Sequence, residues 1–297
     1  MAIQRDFVGY GMAPPVVTWP GRARIAVQVA VNYEEGAEYS LLDGDAHREP
    51  TGDFVSPIPL GERDLLNESF FEYGSRVGVW RLLDLLDTYQ IKCTFLACGL
   101  ALERNPQVAR EIARRGHEPA GHGYRWEECH KMTRDQERVS IRKAVDAIER
   151  TTGQRPLGWM PRYGPSLHTR ELVVEEGGFV YDSCYAINDD LPYFVDVEGK
   201  RWLVVPYSND VNDARAFRGG GGGPDDFHGF MRYTFDRLYE EGAAHPKMMT
   251  VALHCRISGR PAFAHMVEKF FRYAKQFPDV WFARRIDIAR WWLNQGY

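Results

Sequence analysis

Between Arg24 and Asn32 the chain alternates strictly. Ile25, Val27, Val29 and Val31 are apolar and branched, and Ala26, Gln28, Ala30 and Asn32 between them are small or polar. A period of two belongs to a β-strand, whose successive side chains point to opposite faces. Residues 25–32 are therefore predicted to form a strand with one apolar face and one small or polar face, and Glu34 continues the second face beyond the strand's end. Residues 248–254 repeat the division, with Met249, Val251 and Leu253 against Thr250, Ala252 and His254. Further strands are predicted at 92–97, 117–121, 157–160, 179–182, 202–206 and 280–282.

Between most of these strands the period lengthens. Val79, Leu82, Leu83 and Leu86 recur at helical spacing, as do Val108 and Ile112 ahead of Gly116. Asn105-Pro106 reads as an N-cap followed by proline at the first helical position. Residues 134–151 predict one long amphipathic helix with Ile141, Val145 and Ile148 on a face, and 227–241, 261–276 and 286–295 predict three more. Repeated β-then-α order predicts an α/β fold with a mostly parallel sheet, and this many repeats points to a barrel. The second half keeps the rhythm of the first, so a single domain is expected over residues 1–297.

Three stretches break the rhythm. Residues 1–22 carry Pro14-Pro15 and Pro20-Gly21 and are expected to wrap the outside. Residues 36–72 read as a long insertion of little periodicity, and loops of that length are usually functional or disordered. Gly219–Gly223 is a run of glycines followed by Pro224-Asp225-Asp226. No Gly-Lys-Ser/Thr follows it, so it is not a phosphate loop and is expected as a mobile flap or linker.

Composition narrows the function. A net charge of −4 over 297 residues, without a long basic run, speaks against nucleic acid as a partner. No apolar run approaches the ~20 residues that span a bilayer, so no membrane partner is expected. The five cysteines show no C-x-x-C spacing and no apolar leader opens the chain, which predicts a reducing, cytoplasmic setting.

In a parallel barrel the working residues sit where strands end. Glu34 and Glu35 follow the first predicted strand, His122 the third, Arg162 the fourth; Asp182 and Ser183 end the fifth, and His254 ends the 248–254 strand. Each has a plain alternative. A lone histidine at a strand end is more often a hydrogen-bonded structural residue, Arg162 can pair with a surface acid, and Asp182 can cap a turn. Their recurrence at successive strand ends is what suggests a site.

These residues carry a resemblance. Glu34-Glu35, Gly121-His122-Gly123-Tyr124-Arg125-Trp126, Met160-Pro161-Arg162-Tyr163-Gly164, Tyr181-Asp182-Ser183 and Leu253-His254 match, in order, the five motifs of the polysaccharide deacetylase superfamily. The resemblance implies a distorted parallel (β/α) barrel. In the metal-dependent members, the first acid of the pair acts as base, and the second binds metal with two histidines four residues apart. Here both acids are glutamate and Trp126 stands where the second histidine belongs. Zinc sites normally need three protein ligands, and Glu35 with His122 makes two. Glu127, Glu128 and His130 are near in sequence but need another loop path to supply a third. No cofactor is expected, with weak zinc at Glu35 and His122 left open.

One branch shares this loss. The chain resembles the bacterial allantoinases recruited from polysaccharide deacetylases and the related cyclic imide hydrolases, through Asp6-Phe7-Val8-Gly9-Tyr10-Gly11, Asn32 to Gly36, Glu72 to Arg76, His122 to Trp126, Asp189 to Tyr193, Asn212-Asp213, Leu253 to Arg256 and Arg260-Pro261. The resemblance implies metal-independent opening of a C–N bond in a small cyclic amide or imide, by a homo-oligomer, a tetramer among the options. Between Ala216 and Phe230 the glycine run departs from that pattern.

Ring opening needs an activated water, a stabilised oxyanion and a proton for the leaving nitrogen. Glu34 is the candidate base, its carboxyl expected to be raised by burial. His254 is the candidate acid, with His122, Arg162 and backbone N–H groups as oxyanion donors and Glu35 beside them. Tyr33, Tyr124, Trp126 and Trp159 could wall a pocket, or could equally be core aromatics. Asp182, and by resemblance Asn212 and Asp213, are candidate substrate-binding groups. Two alternatives stand: a metal-dependent N-deacetylase of acetylated sugars or peptidoglycan, and a non-catalytic member that binds a small ligand.

Overall fold

A computed structural model of the chain describes residues 5–50, 55–162, 164–218 and 222–297. The first predicted strand, β1 (Ile25–Tyr33), is an interior strand of the sheet and is buried along its whole length. It is followed by β2 (Thr94–Ala97), β3 (Glu118–Gly121), β4 (Gly158–Trp159), β5 (Tyr181–Asp182), β6 (Tyr193–Val197), β7 (Lys200–Val204), β8 (Lys247–His254) and β9 (Val280–Ala283). Their order across the sheet is β6-β7-β5-β4-β3-β2-β1-β8. All pairings are parallel except the β6–β7 hairpin at one edge. That hairpin lies partly outside the predicted strands. Its residues alternate too weakly to announce a strand before 202, because most of its side chains are only partly buried.

β8 pairs with β1 from Ile25 to Asn32. The opposite edge of β1 is shared, with β9 on Ile25 to Gln28 and β2 on Ala30 to Tyr33. The result is a curled half-barrel with helices outside. Beyond β8 the sheet is extended by a single bridge, Asn212 to Ala252.

The two predicted faces of β1 separate as the alternation implies. Ile25, Val27, Val29 and Val31 join Met249, Val251 and Leu253 in the outer core, packed under helices that include Val79–Thr88 and Pro261–Ala274. Ala30 and Ala252 face inward with Leu96, Ala120 and Tyr207. Helix ends follow the local signals. Asn105 caps Pro106–Arg114, and a Thr133/Gln136 capping box opens Arg134–Thr152, which closes on the left-handed Gly153.

The long insertion is shorter than expected. Asp64 caps a helix at Leu65–Tyr73, which runs through a π-turn at Gly74–Gly78 into the next helix. The rest of the loop is tied down by ion pairs of Asp43 with Arg104 and Arg125, Asp45 with Arg125, and Glu49 with Arg162. In the N-terminal stretch Trp19 is buried against Trp281 and Trp292. Of the glycine run, residues 219–221 lie outside the described residues, and the helix Pro224–Glu241 begins just after it.

Candidate active site

Strand register builds the site. Asn32 lies opposite His254, so Glu34, two residues further on, rises beside the end of β8. His122 follows β3 and enters from the other side. Its Nε2 lies 3.1 Å from Glu34 Oε1, and its Nδ1 is 2.6 Å from the Met160 carbonyl, which holds the ring in place. His254 Nε2 lies 3.7 Å from the same Glu34 oxygen. One carboxylate oxygen thus faces two imidazoles.

Behind His254 stands Asp213. Its Oδ1 is 2.6 Å from His254 Nδ1, and its Oδ2 accepts from the His254 backbone N–H at 2.7 Å and from the Ser258 hydroxyl at 2.7 Å. A buried carboxylate on Nδ1 orients an imidazole and leaves Nε2 to act. Asp213 was expected to contact substrate; the structure makes it the support of His254.

The second carboxylate is enclosed differently. Glu35 Oε1 accepts the Arg256 N–H and Oε2 accepts the Glu34 N–H, both at 3.0 Å. Gly74, in the π-turn, is what lets the helix approach, since a methyl group there would overlap the Glu35 carboxylate. Arg256 donates from Nη1 to Glu34 Oε2 at 2.8 Å and lies 3.6 Å from Glu35 Oε1. Its guanidinium carbon is 4.5 Å from the Phe71 ring centre and 5.4 Å from that of Trp126.

These contacts reverse one expectation. Burial opposes ionisation of Glu34, but Arg256, then His254 and His122, outweigh it and hold the carboxyl well below the usual range. The raised carboxyl is its neighbour. Burial, with the Glu34 charge adding to it, pushes Glu35 up to about 7 against the pull of Arg256. Burial likewise lifts Glu38 to about 7. For His254, burial favours the neutral ring, yet Asp213 and Glu34 together raise its pKa.

The remaining candidates sit elsewhere. Arg162 pairs with Glu49 at 2.6 and 3.0 Å, bonds the Trp126 carbonyl at 2.7 Å, and stacks 3.9 Å over the Trp126 ring. It therefore braces Trp126 and is not aimed at Glu34. Tyr33 belongs to the outer core, its hydroxyl 2.8 Å from Ser75 Oγ. Tyr124 is half-buried and bonds Glu103 at 2.9 Å. Trp159 packs between Gly121 and Phe179. Asp182 holds Arg170 at 2.8 and 3.1 Å and accepts from Trp202 Nε1 at 2.7 Å. Asn212 caps the turn before Asp213 by accepting the Ala214 N–H at 2.9 Å. Strand-end position put Arg162 and Asp182 near the site but does not show which partner a side chain meets; the aromatics were open from the start to a place in the core, and Asn212 rested on the resemblance.

Arg256 and Gly74 fall in stretches that the resemblance covers but were given no role, and Glu49 was not singled out by sequence. Arg256 lies two residues past His254, where a charged residue next to an apolar strand is a usable signal. Glu49 sits in a stretch without periodicity and gave none. Among the described residues no group of three or more His, Cys, Asp or Glu side chains is arranged to hold a metal ion. Glu35 is spent on two backbone N–H groups and His122 faces Glu34, so the metal-ligand set of the deacetylases does not fit here. The five cysteines are free and buried.

The profile of the polysaccharide deacetylase family matches residues 68–181. A Schizosaccharomyces pombe protein assigned to the polysaccharide deacetylases is 38% identical, over 97% of this chain and 96% of its own. The Helicobacter pylori peptidoglycan deacetylase is 34% identical over 48% of each chain. Among solved structures, a Pseudomonas aeruginosa PAO1 protein assigned to the polysaccharide deacetylases superposes with a TM-score of 0.93 at 44% identity, covering 99% of both chains. PuuE allantoinase superposes with a TM-score of 0.94 at 44% identity, covering 100% of this chain and 99% of its own.

Proposed function

The chain belongs to the polysaccharide deacetylase family, and from that premise we propose that it opens a C–N bond in a small cyclic amide or imide of the allantoin, hydantoin or succinimide kind. The family supports a hydrolase of C–N bonds; the ring is the finer step. The observation that carries it is enclosure. Glu34 is 1% exposed and His254 7%, and the buried Arg256 lies between Glu34 and the Trp126 ring. A polymer needs an open groove, whereas a closed site suits a small molecule. Full-length likeness to PuuE allantoinase supports the same reading.

In the proposed reaction, water attacks the ring carbonyl carbon while its proton passes to Glu34 Oε1. Before the attack Glu34 is held ionised, and so only weakly basic, by Arg256 and the two imidazoles, which also neighbour the oxygen that takes the proton. With its Nδ1 donating to the Met160 carbonyl, His122 donates from Nε2 to the developing oxyanion as the imidazolium. The C–N bond breaks as His254 Nε2 gives its proton to the leaving nitrogen. Transfer of the proton from Glu34 to His254, across 3.7 Å, restores the starting state. Asp213 keeps His254 charged until it protonates the leaving nitrogen. The residues do not fit a resident metal, and no step is routed through one. A homo-oligomer is part of the same proposal, read by sedimentation.

The test is a panel of allantoin, hydantoin, succinimide, dihydrouracil and N-acetylglucosamine oligomers, each with and without exhaustive chelation. Ring opening that survives the chelator is expected. Release of acetate from the sugars, lost to the chelator and restored by zinc, would replace this reading with the deacetylase.

A further inference from the structure

Two adjacent carboxylates, both essentially out of water, need a cation nearby or a proton between them. All four of their oxygens have partners here. Glu34 Oε1 faces two imidazoles, Glu34 Oε2 takes Arg256 Nη1 at 2.8 Å, and each Glu35 oxygen takes a backbone N–H at 3.0 Å. Arg256 contributes to both carboxylates, through its guanidinium to Glu34 and through its own backbone N–H to Glu35. It is fully buried, and Phe71 and Trp126 lie against it. Trp126 is in turn fixed by Arg162 and Glu49, so the long loop that carries Glu49 braces the ring beside Arg256.

We propose that Arg256 is the built-in cation of this site: clamped between the carboxylate pair and two aromatic rings, it holds Glu34 as the acceptor and closes the pair to a divalent metal ion. Arginine suits the task because its guanidinium stays charged when buried and tolerates aromatic faces. A metal would have to displace Arg256 from Glu34 and strip the backbone donors from Glu35, leaving buried N–H groups unpaired. Arg256 is a positioning residue in this scheme. It acts through Glu34 and does not itself take part in proton transfer. The proposal rests on the hydrolase reading only for the use to which Glu34 is put.

The groups facing Glu34 are Arg256, His254 with Asp213 behind it, His122 and Glu35, with Tyr207 and Cys98 close enough to be influenced by its charge. Among them Arg256 is the one fixed charge. The experiment is therefore a carbon-13 carboxyl titration of the full chain, with the Glu34 signal identified by its loss in Glu34→Gln. It is run on the wild type, Arg256→Met and Arg256→Lys, beside equilibrium dialysis of the wild type and Glu35→Gln against zinc. In Arg256→Met the Glu34 midpoint should rise by at least one pH unit, a tenfold gain in proton affinity. In Arg256→Lys the rise should be smaller, because the charge stays and the flat fork is lost. The wild type should bind no zinc that Glu35→Gln abolishes. An unmoved Glu34 midpoint in the methionine variant overturns the proposal, as does one equivalent of zinc lost in Glu35→Gln. If the methionine variant does not fold, an unmoved midpoint in the lysine variant or that zinc result decides against it. Neither measurement uses substrate, so failure here leaves the ring-opening reading standing, and failure of the substrate panel leaves this one.

Discussion

Arg256 follows β8 and Arg285 follows β9, and both side chains are fully buried. Arg256 meets charge, the carboxylates of Glu34 and Glu35. Arg285 meets neutral oxygens. It donates to Gln28 Oε1 at 2.5 Å, to the Val205 and Pro206 carbonyls at 2.6 and 3.2 Å, and to the Ser183 hydroxyl. Gln28 also donates to the Pro206 carbonyl at 3.2 Å and to Thr250 Oγ1 at 2.6 Å. These side chains link β1 and β8 to the segment after β7, where the half-barrel lacks a ladder. The register explains the division of labour. β9 ends opposite Gln28 and β8 ends opposite Asn32, four residues higher on β1, about 13 Å at strand spacing. One arginine enters the middle of the barrel and closes it, while the other enters at the rim and serves the site.

The sharpest way to break this contrast is to neutralise each region and compare losses. Glu34→Gln is expected to lower kcat/KM on the best ring substrate by roughly 10³-fold or more, in line with loss of a general base, with little change in thermal midpoint. Near-normal turnover would remove Glu34 as the acceptor. Arg285→Met should do the reverse. It leaves several buried oxygens short of a donor at about 1–3 kcal/mol each, so urea unfolding should show a loss of roughly 3 kcal/mol or more. A stable, folded variant would show that the barrel is closed by other means.

Asp213→Asn comes next. Losing the charge behind His254 is expected to lower kcat by about 10²-fold, at the low end for acid–base residues. Asp213 helps to raise the His254 pKa, so its removal lets the ring lose its proton at lower pH. The alkaline limb of the kcat/KM profile should therefore move toward lower pH. An unmoved limb would dissociate His254 from the acid role.

The pH dependence of stability separates the two glutamates. Glu35 keeps its proton to about 7 in the folded chain, whereas an unfolded glutamate releases it near ~4.3. Across that window the folded state binds the extra proton, so this group's contribution to stability falls as pH rises. Glu34 has the opposite sign. Its contribution is present above the unfolded value and is lost as pH falls through its depressed folded one. Urea midpoints taken from pH 4.5 to 7.5 should fall less steeply in Glu35→Gln than in the wild type; equal slopes would reverse the assignment. The smallest effect is expected at Tyr33→Phe, which loses the contact with Ser75 on the outer face. About 1 kcal/mol of stability should go, with kcat/KM within twofold; a large kinetic loss would bring Tyr33 into the site.

Much of the frame was legible in the chain. The alternation at Ile25 to Asn32 predicted both faces of β1, and its repetition before His254 placed a second strand of the same kind. The Thr133 and Asn105 caps were readable because capping is local. The short strands β4 and β5, of two residues each, were expected at about the right places although neither is long enough for a clear period. The β6–β7 hairpin and the helix inside the supposed insertion were less clear, because weak alternation and a π-turn blur both periods.

The site divides along the same line. A strand's period fixes which face a side chain leaves from, so Glu34 and His254 could be assigned to one end of the sheet without coordinates. Which partner waits there depends on register and on loops remote in sequence. Asp213 reaches His254 across 41 positions, and Arg256 reaches Glu34 across 222. Those distant contacts set the charge of each glutamate and sent Arg162 to Glu49, whereas Tyr33 lies on the outer face with Val31 by the period of the strand itself. Proton affinity is a property of neighbours, and neighbours this far apart along the chain are chosen only by folding.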